Sequence, residues 1–500
     1  MVTNRSAMNA FTVQEATVEG IHAAFASGEL TCVQLVQACL DRIAALDHQG
    51  PALRAVITVN PDALRIAARL DAQFRTARSE VGPLHGIPVL VKDNLHTHDM
   101  PTTGGSVAMR GWQPARDAFT IDRIRQAGAV ILAKTNLQEF ARGGLSISSL
   151  GGQVLNPYDL ARTPGGSSGG TGAGIAASYA VLGVGSDTGQ SIRSPASANS
   201  LVGVRPTRGL VSRSGLMPNS FTQDEVGPIA RTVKDAALLL QVMAGYDPAD
   251  PVTAGGVGRT PASYSASLDA NALAGARIGV MTNLFGSEAR HGEVNRVLEQ
   301  VIGNMEASGA TLVRFQLPAY DEIGPTVSTD RIEAAAAMDR YFASLEPAAA
   351  IQNFRQLVES RTAAPGIQKA FEAELAEAPL FGGIDYLQRM LSRDRLRVAV
   401  LAQMAELGVD AILYPLQRIL VVPAGHDDQA ERNGALSHGT GFPAVTFPAG
   451  FSAPTSTAPL GVPVGAELLG RDFSELLLLG LAYAYDQAFP TRRPPPMTNL

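Results

Sequence analysis

Apolar positions recur with a helical period through the first fifty residues. Thr31 and Gln34 form a capping box, and behind it Val33, Leu35, Val36, Cys39, Leu40, Ile43 and Leu46 make one face suited to packing. The period then changes. Ile87-Pro88-Val89-Leu90-Val91 is an unbroken apolar run ending at Lys92, and Ala129 to Ala133 is a second, followed by Lys134. Runs of this kind suit strands buried on both faces. Helical sequence lies between them, and strand, helix, strand in that order predicts an α/β sheet. A further unit comes late, with a strand at Ile278 to Val280, a helix from Glu293 to Ala307 and a strand from Thr311 to Phe315. Asp247 to Pro261 reads as a connection, and Asp330 to Leu407, rich in Ala, Glu and Arg, as a helical layer. Strand-like Ala411 to Tyr414 and Ala444 to Phe447 follow, then a helix from Ser474 to Ala488. The proline-rich end at Pro494 to Pro496 is expected to fray.

Composition narrows the class. Apolar residues are 45% of the chain and charged ones 17%, which excludes a long disordered polar protein and predicts a sizeable core. A net charge of −6 offers no general attraction for nucleic acid or an anionic membrane. Cys32 and Cys39 lie seven apart on a helix and share a face without disulfide geometry. Met1 to Gly20 shows no signal peptide, and the best apolar stretches, Ala173 to Gly185 and Leu476 to Tyr485, are too short to span a bilayer. The expected setting is the cytoplasm.

The most unusual stretch is Gly165-Gly166-Ser167-Ser168-Gly169-Gly170-Thr171-Gly172-Ala173-Gly174, six glycines in ten residues. A flexible spacer is the plainest reading, but the apolar run from Ile175 to Val184 argues against it. A phosphate-binding loop would need a lysine, and none occurs between Lys134 and Lys234. Gly172, Gly174 and Ala177 fit a loose dinucleotide fingerprint that no convincing strand introduces. Gly165 to Gly169 also fits a Gly-x-Ser-x-Gly elbow, which would make Ser167 a nucleophile served by His291, His426 or His438. A second polar cluster, Gly185-Ser186-Asp187-Thr188-Gly189-Gln190-Ser191-Ile192-Arg193, follows the apolar run. The chain is read as passing serine, buried helix, serine, so that two hydroxyls can meet at one site.

A hydroxyl needs a base within hydrogen-bond reach to become a useful nucleophile. No histidine lies near either motif in sequence. Lys92 follows four apolar side chains, and an ammonium held in such surroundings loses its proton near neutrality. An isolated lysine at a strand end is more often solvated.

The spacing of these motifs resembles that of the amidase signature family, hydrolases of amide and related carbon–nitrogen bonds. The resemblance is carried by Gly86 to Asn94, by Pro164 to Gly170, by Gly185 to Arg193 and by Val204-Arg205-Pro206-Thr207. It continues more weakly through Asp224 to Leu240 and returns at Gly441 to Ala488. It implies an α/β fold with a central mixed β-sheet covered by helices on both faces. Residues 1–500 would form one amidase domain, with a signature core at 60–245, a more variable, mainly helical, substrate-shaping region at 255–407 and a return to the core at 408–490. The implied triad is Lys92 as base, Ser167 as bridging serine after a cis peptide, and Ser191 as nucleophile. Backbone N–H groups of Thr188, Gly189 and Gln190, with that of Ser191, would form the oxyanion hole. Ser168, Asp187 and Arg193 match positions that brace the site, with an Asp187–Arg193 ion pair as the structural alternative. No metal or organic cofactor enters this chemistry.

Two departures bear on substrate. Gln190 stands where the family usually has glycine, and its side chain could face substrate. Gly143 to Ser149 lacks the Thr-Glu stretch typical of the A chain of the tRNA-dependent glutamine amidotransferase, which favours a free-standing hydrolase. Arg142, Leu145 and Ser146 are candidates for the substrate pocket, although for Arg142 a surface ion pair is the plainer reading. His96 and His98 lack a third ligand at a metal-binding spacing and are assigned to the pocket mouth at best; Trp112 is assigned to packing. The expected substrate is a small amide, anilide, carbamate or ester, with an apolar acyl or aryl group hinted by the Ala, Leu and Phe residues of 255–407. No nucleic acid or membrane partner is implied, and a homodimer stays open. Three rival readings stand beside this one. They are an amidotransferase component working with partner chains on charged tRNA, the histidine-dependent hydrolase using Ser167, and an inactive binding homologue.

Overall fold

The computed structural model describes residues 11–496. Met1 to Ala10, included in the helical and leaderless reading of the N-terminus, lie outside the described residues. The helices Val18–Ser27 and Cys32–Leu46 open the described chain, and the Thr31–Gln34 capping box forms, each side chain accepting from the other residue's backbone N–H. Cys32 and Cys39 are free and buried.

Eleven strands form one mixed sheet. Across it run Val56–Val59, Val130–Thr135, Pro88–Lys92, Leu182–Asp187, Glu225–Ala230, Val202–Arg205, Ala444–Phe451, Pro463–Leu469, Ala411–Pro415, Arg277–Met281 and Thr311–Phe315. Pro88–Lys92 lies parallel to both Val130–Thr135 and Leu182–Asp187, whereas Glu225–Ala230 is antiparallel to Leu182–Asp187. Every residue of Pro88–Lys92, Val130–Thr135 and Leu182–Asp187 is buried. Burial at consecutive positions means that both sheet faces are covered, because successive side chains point to opposite sides.

The run from Ile175 to Val184 is not one helix. The helix covers Gly169–Ala176, Ser178 takes a left-handed backbone with φ of 58°, and the chain then extends as Leu182–Asp187. A strand therefore leads into the second serine cluster and places it at the carboxyl ends of the parallel strands, beside the end of Pro88–Lys92. Ligands of α/β sheets bind outside the carboxyl ends of such parallel strands.

The C-terminal end is tied down as far as it is described. Arg492 pairs with Glu15 and donates to the Ser200 carbonyl, Tyr158 donates to the Arg493 carbonyl, and Pro495 is buried. Of the proline-rich stretch that was expected to fray, Pro494 and Pro496 are exposed and Pro495 is buried. The region from Asp330 to Leu407 is helical, comprising Asp330–Ala343, Phe354–Ser360, Pro365–Glu377 and Ile384–Leu407. No helix among the described residues is long and apolar enough to cross a membrane.

Candidate active site

Parallel register brings Val91 beside Val184, so Lys92 and, past Gly185, the Ser186–Asp187 pair emerge at the same end of the two strands. Lys92 is fully buried. Its Nζ donates to Ser167 Oγ at 2.7 Å, to Ser186 Oγ at 2.9 Å and to the Ser186 carbonyl at 3.3 Å. Asn94 Nδ2 also donates to Ser186 Oγ, at 2.9 Å. No carboxylate lies within ion-pair distance of Lys92 among the described residues. Burial, the largest influence, pushes its pKa down to about 7, against Asp187 and Asp224, which favour the charged form. Lys134 is buried as completely, but its ammonium sits 3.1 Å from Asp93. Of these two lysines, only Lys92 meets serine hydroxyls in place of a carboxylate.

Ser167 follows a cis peptide at Gly166–Ser167 and stands just ahead of the helix Gly169–Ala176. Ser168 N–H donates to the Ser191 carbonyl at 3.2 Å, which fixes the two serine loops against each other, and Ser168 Oγ donates to the Ser186 carbonyl at 3.3 Å. Ser191 is 5% exposed, and its hydroxyl makes no hydrogen bond among the described residues. The N–H groups of Thr188, Gly189, Gln190 and Ser191 likewise have no protein acceptor among the described residues. The next N–H, that of Ile192, donates to Asp187 Oδ2 at 3.0 Å and closes the turn. Successive unclaimed N–H groups on a tight turn make a concave site for an oxyanion.

The turn rests on a buried charge network. Asp187 pairs with Arg193 at 3.1 Å and Arg205 at 2.8 Å, and Arg193 reaches Glu467 at 2.6 Å. Burial alone would raise the Asp187 carboxyl, but the two guanidinium groups and the Ile192 N–H hold it below the usual carboxylate range. The structural alternative for Asp187 and Arg193 is therefore what the geometry shows. Gln190 is 1% exposed, with both amide atoms lacking a protein partner, so its side chain is enclosed. Asp224 Oδ1 accepts from Thr188 Oγ1 at 2.6 Å, and its other oxygen accepts from the Asn219 and Ser220 N–H groups.

Arg142 is not at the surface. It is buried, pairs with Glu374 at 2.9 Å, donates to Asn219, and lies over the rings of Phe354 and Phe371. Ser146 is also committed internally, donating to the Gly165 carbonyl at 2.7 Å and accepting from Gly169 N–H at 3.0 Å, so its hydroxyl holds the glycine loop. Leu145 is buried and its N–H donates to Gln138. His96 turns to Tyr341, 2.8 Å away, and stacks edge-on against Trp112, whose indole N–H donates to the Pro347 carbonyl. His98, Asp99 and Asp117 come together, but Arg125 salt-bridges both aspartates. His291 pairs with Glu431, His426 is exposed and His438 is buried; none of them hydrogen-bonds Ser167. Ser186, Asn94, Asp224 and Glu467 were missed in the sequence. Ser186 and Asn94 were legible only as members of quoted motifs, because their meaning lies in the sheet register.

A buried lysine bonded to a serine hydroxyl, beside a second serine on a turn of free N–H groups, defines a serine- and lysine-based site of the amidohydrolase type. Residues 34–479 match the Amidase family, and the chain belongs to the amidase signature family. A probable amidase of Arabidopsis thaliana is 34% identical, covering 97% of this chain and 92% of that protein. The A chain of the glutamyl-tRNA(Gln) amidotransferase of Chloroflexus aggregans is also 34% identical, covering 96% and 98%. The crystal structure of the peptide amidase from Stenotrophomonas maltophilia superposes with a TM-score of 0.84 at 37% identity, covering 96% of this chain and 98% of that one.

Proposed function

We infer that this protein is a serine amidohydrolase that cleaves a carboxamide through an acyl-enzyme on Ser191. The observation that carries the reading is the 2.7 Å contact from Lys92 Nζ to Ser167 Oγ in a site that gives the lysine no carboxylate. Neutral Lys92 takes the proton of Ser167, Ser167 takes that of Ser191, and Ser191 attacks the carbonyl carbon. The oxyanion settles on the N–H groups of Thr188, Gly189, Gln190 and Ser191. Ser167 returns a proton to the leaving nitrogen, and water releases the acid by the same relay in reverse.

The substrate class we favour is an amide with an apolar acyl portion, C-terminal peptide amides among them. Likeness to a peptide amidase supports this, and so does the half-buried Phe221, in the loop that Asp224 ties to Thr188 and stacked near Phe381. The helical region 255–407 shapes that side in this reading: Glu333 accepts from Ser220 and Thr222, and Tyr386 donates to Glu333. An identity of 34% to an amidotransferase component keeps one rival in view, and purification separates the two. Hydrolysis by the chain alone supports the free-standing enzyme, whereas activity only with co-purifying chains and charged tRNA supports the rival. Ser191→Ala should abolish both amide turnover and labelling by a fluorophosphonate, and Lys92→Ala should lower turnover by about a hundredfold or more. Full activity in either variant overturns the assignment.

A further inference from the structure

Arg432 is a charge that the mechanism does not use. It sits in the segment after the strand Ala411–Pro415, and its backbone is fixed by a bridge to Gln417. The neighbouring Asn433 side chain is pinned to the Pro415 and Leu284 carbonyls. Two positions on, Gly434 packs against the Gly189 carbonyl and the Gln190 side chain, which places this segment on the oxyanion turn. In the other direction the guanidinium reaches Gly144: a Cβ built there would lie 3.0 Å from Arg432 Nη1. Gly144 in turn packs against Gly166, the residue before Ser167. Arg432 thus bridges from the turn that carries Ser191 to the loop that carries Ser167.

Its charge is unmatched. No ion pair or side-chain hydrogen bond engages it among the described residues. The adjacent Glu431 is taken by His291 and Arg290, and Asp428 and Asp330 influence Arg432 only from beyond contact distance. The side chain is exposed, yet desolvation is the main cause that lowers its pKa. The guanidinium therefore meets solvent while packing beside the two loops that carry the serines. A planar guanidinium there presents paired N–H donors to planar oxygen acceptors.

We propose that Arg432 is a substrate-binding residue whose guanidinium receives an oxygen acceptor on the substrate's acyl portion, set back from the scissile amide. The acceptor is a carbonyl, as in a peptide, or a carboxylate. This rests on the amidohydrolase reading but has its own consequence, since the chemistry of Ser191 needs no such anchor.

Three matched amides test it: 3-phenylpropanamide, and the same amide carrying on its α-carbon either an acetamido group or a carboxylate. The wild-type protein should favour at least one acceptor-bearing amide over the plain one by about tenfold or more, chiefly through KM. The favoured member tells carbonyl from carboxylate. Arg432→Met should erase that ratio, and Arg432→Lys should retain part of it. An unchanged ratio in Arg432→Met, or a parallel fall in kcat for all three, overturns the proposal; if the methionine variant does not fold, the ratio in Arg432→Lys decides. Should no amide be turned over, the amidohydrolase reading fails separately, and calorimetric binding to Ser191→Ala with and without Arg432→Met still decides. Tighter binding of an acceptor-bearing amide that vanishes with Arg432 sustains the inference, and equal binding ends it.

Discussion

Lys92 and Lys134 are both fully buried at the ends of neighbouring strands, and their partners decide what each can do. Asp93 keeps the Lys134 ammonium in a salt bridge, whereas Lys92 has hydroxyls and a carbonyl as its contacts. A base must be unprotonated to act, so in the proposed relay activity should follow the neutral fraction of Lys92. With its pKa pushed down to about 7, kcat/KM should rise with pH through that value and fall about tenfold per unit below it. The pH profile of amide hydrolysis checks this, and a flat rate from about pH 5 to 9 would separate Lys92 from catalysis. At this scale the sequence was informative about identity but silent about partnership. The resemblance named Lys92, Ser167 and Ser191, while Ser186, which accepts from both Lys92 and Asn94, became visible only in three dimensions.

Elements were legible where a local pattern determines them. The Thr31 capping box and the doubly buried apolar runs ending at Lys92 and Lys134 needed no tertiary information, because capping geometry and two-sided burial are written locally. Ile175 to Val184 reads as one helix because a short apolar run has no period to tell helix from strand, and the break falls at Ser178, a lone and weak turn signal within an apolar stretch. Glu225–Ala230 is concealed for a related reason: Pro228 argues against a central strand, yet it sits opposite Val184 within the sheet. The glycines of the serine loop are a packing requirement. A Cβ on Gly170 would strike the backbone oxygens of Asn136 and Ala55, which cannot swing aside. Gly170→Ala should therefore cost about 1–3 kcal/mol, read as a lower denaturation midpoint, and should reduce activity by displacing the adjoining Ser167 loop. Gly303→Ala is the control: that exposed mid-helix position has nothing within 4 Å of a new Cβ, so stability should rise by up to about 1 kcal/mol. A midpoint unchanged in Gly170→Ala would show that the loop yields.

Across the whole molecule, the site depends on a charge balance assembled from distant parts of the chain. Arg193 and Glu467 are 274 residues apart and meet at 2.6 Å, and Glu467 also accepts from Tyr414 and Thr446, so the C-terminal strands brace the turn that carries Ser191. Asp187 and Glu467 together match Arg193 and Arg205, two charges against two. A third acid enters the same region, since Glu225 lies directly opposite Asp187 in the sheet, fully buried, with neither oxygen hydrogen-bonded. Burial raises its pKa from 4.5 to about 8, outweighing the pull of Arg205, Arg213 and Arg208. At neutral pH Glu225 is therefore mostly protonated, and the balance of two against two survives. The linkage has a definite sign. A carboxyl whose folded pKa is raised binds its proton more tightly in the native state, so the stability it contributes is complete below pH 4.5 and is lost as pH rises through about 8. Glu225→Gln keeps the shape and removes the titration. Its stability relative to wild type should thus climb across that window and level off above it, as measured by denaturant unfolding at several pH values. A constant difference at all pH values would mean that Glu225 is charged in the native state and that one of the neighbouring arginines, rather than a proton, neutralises it.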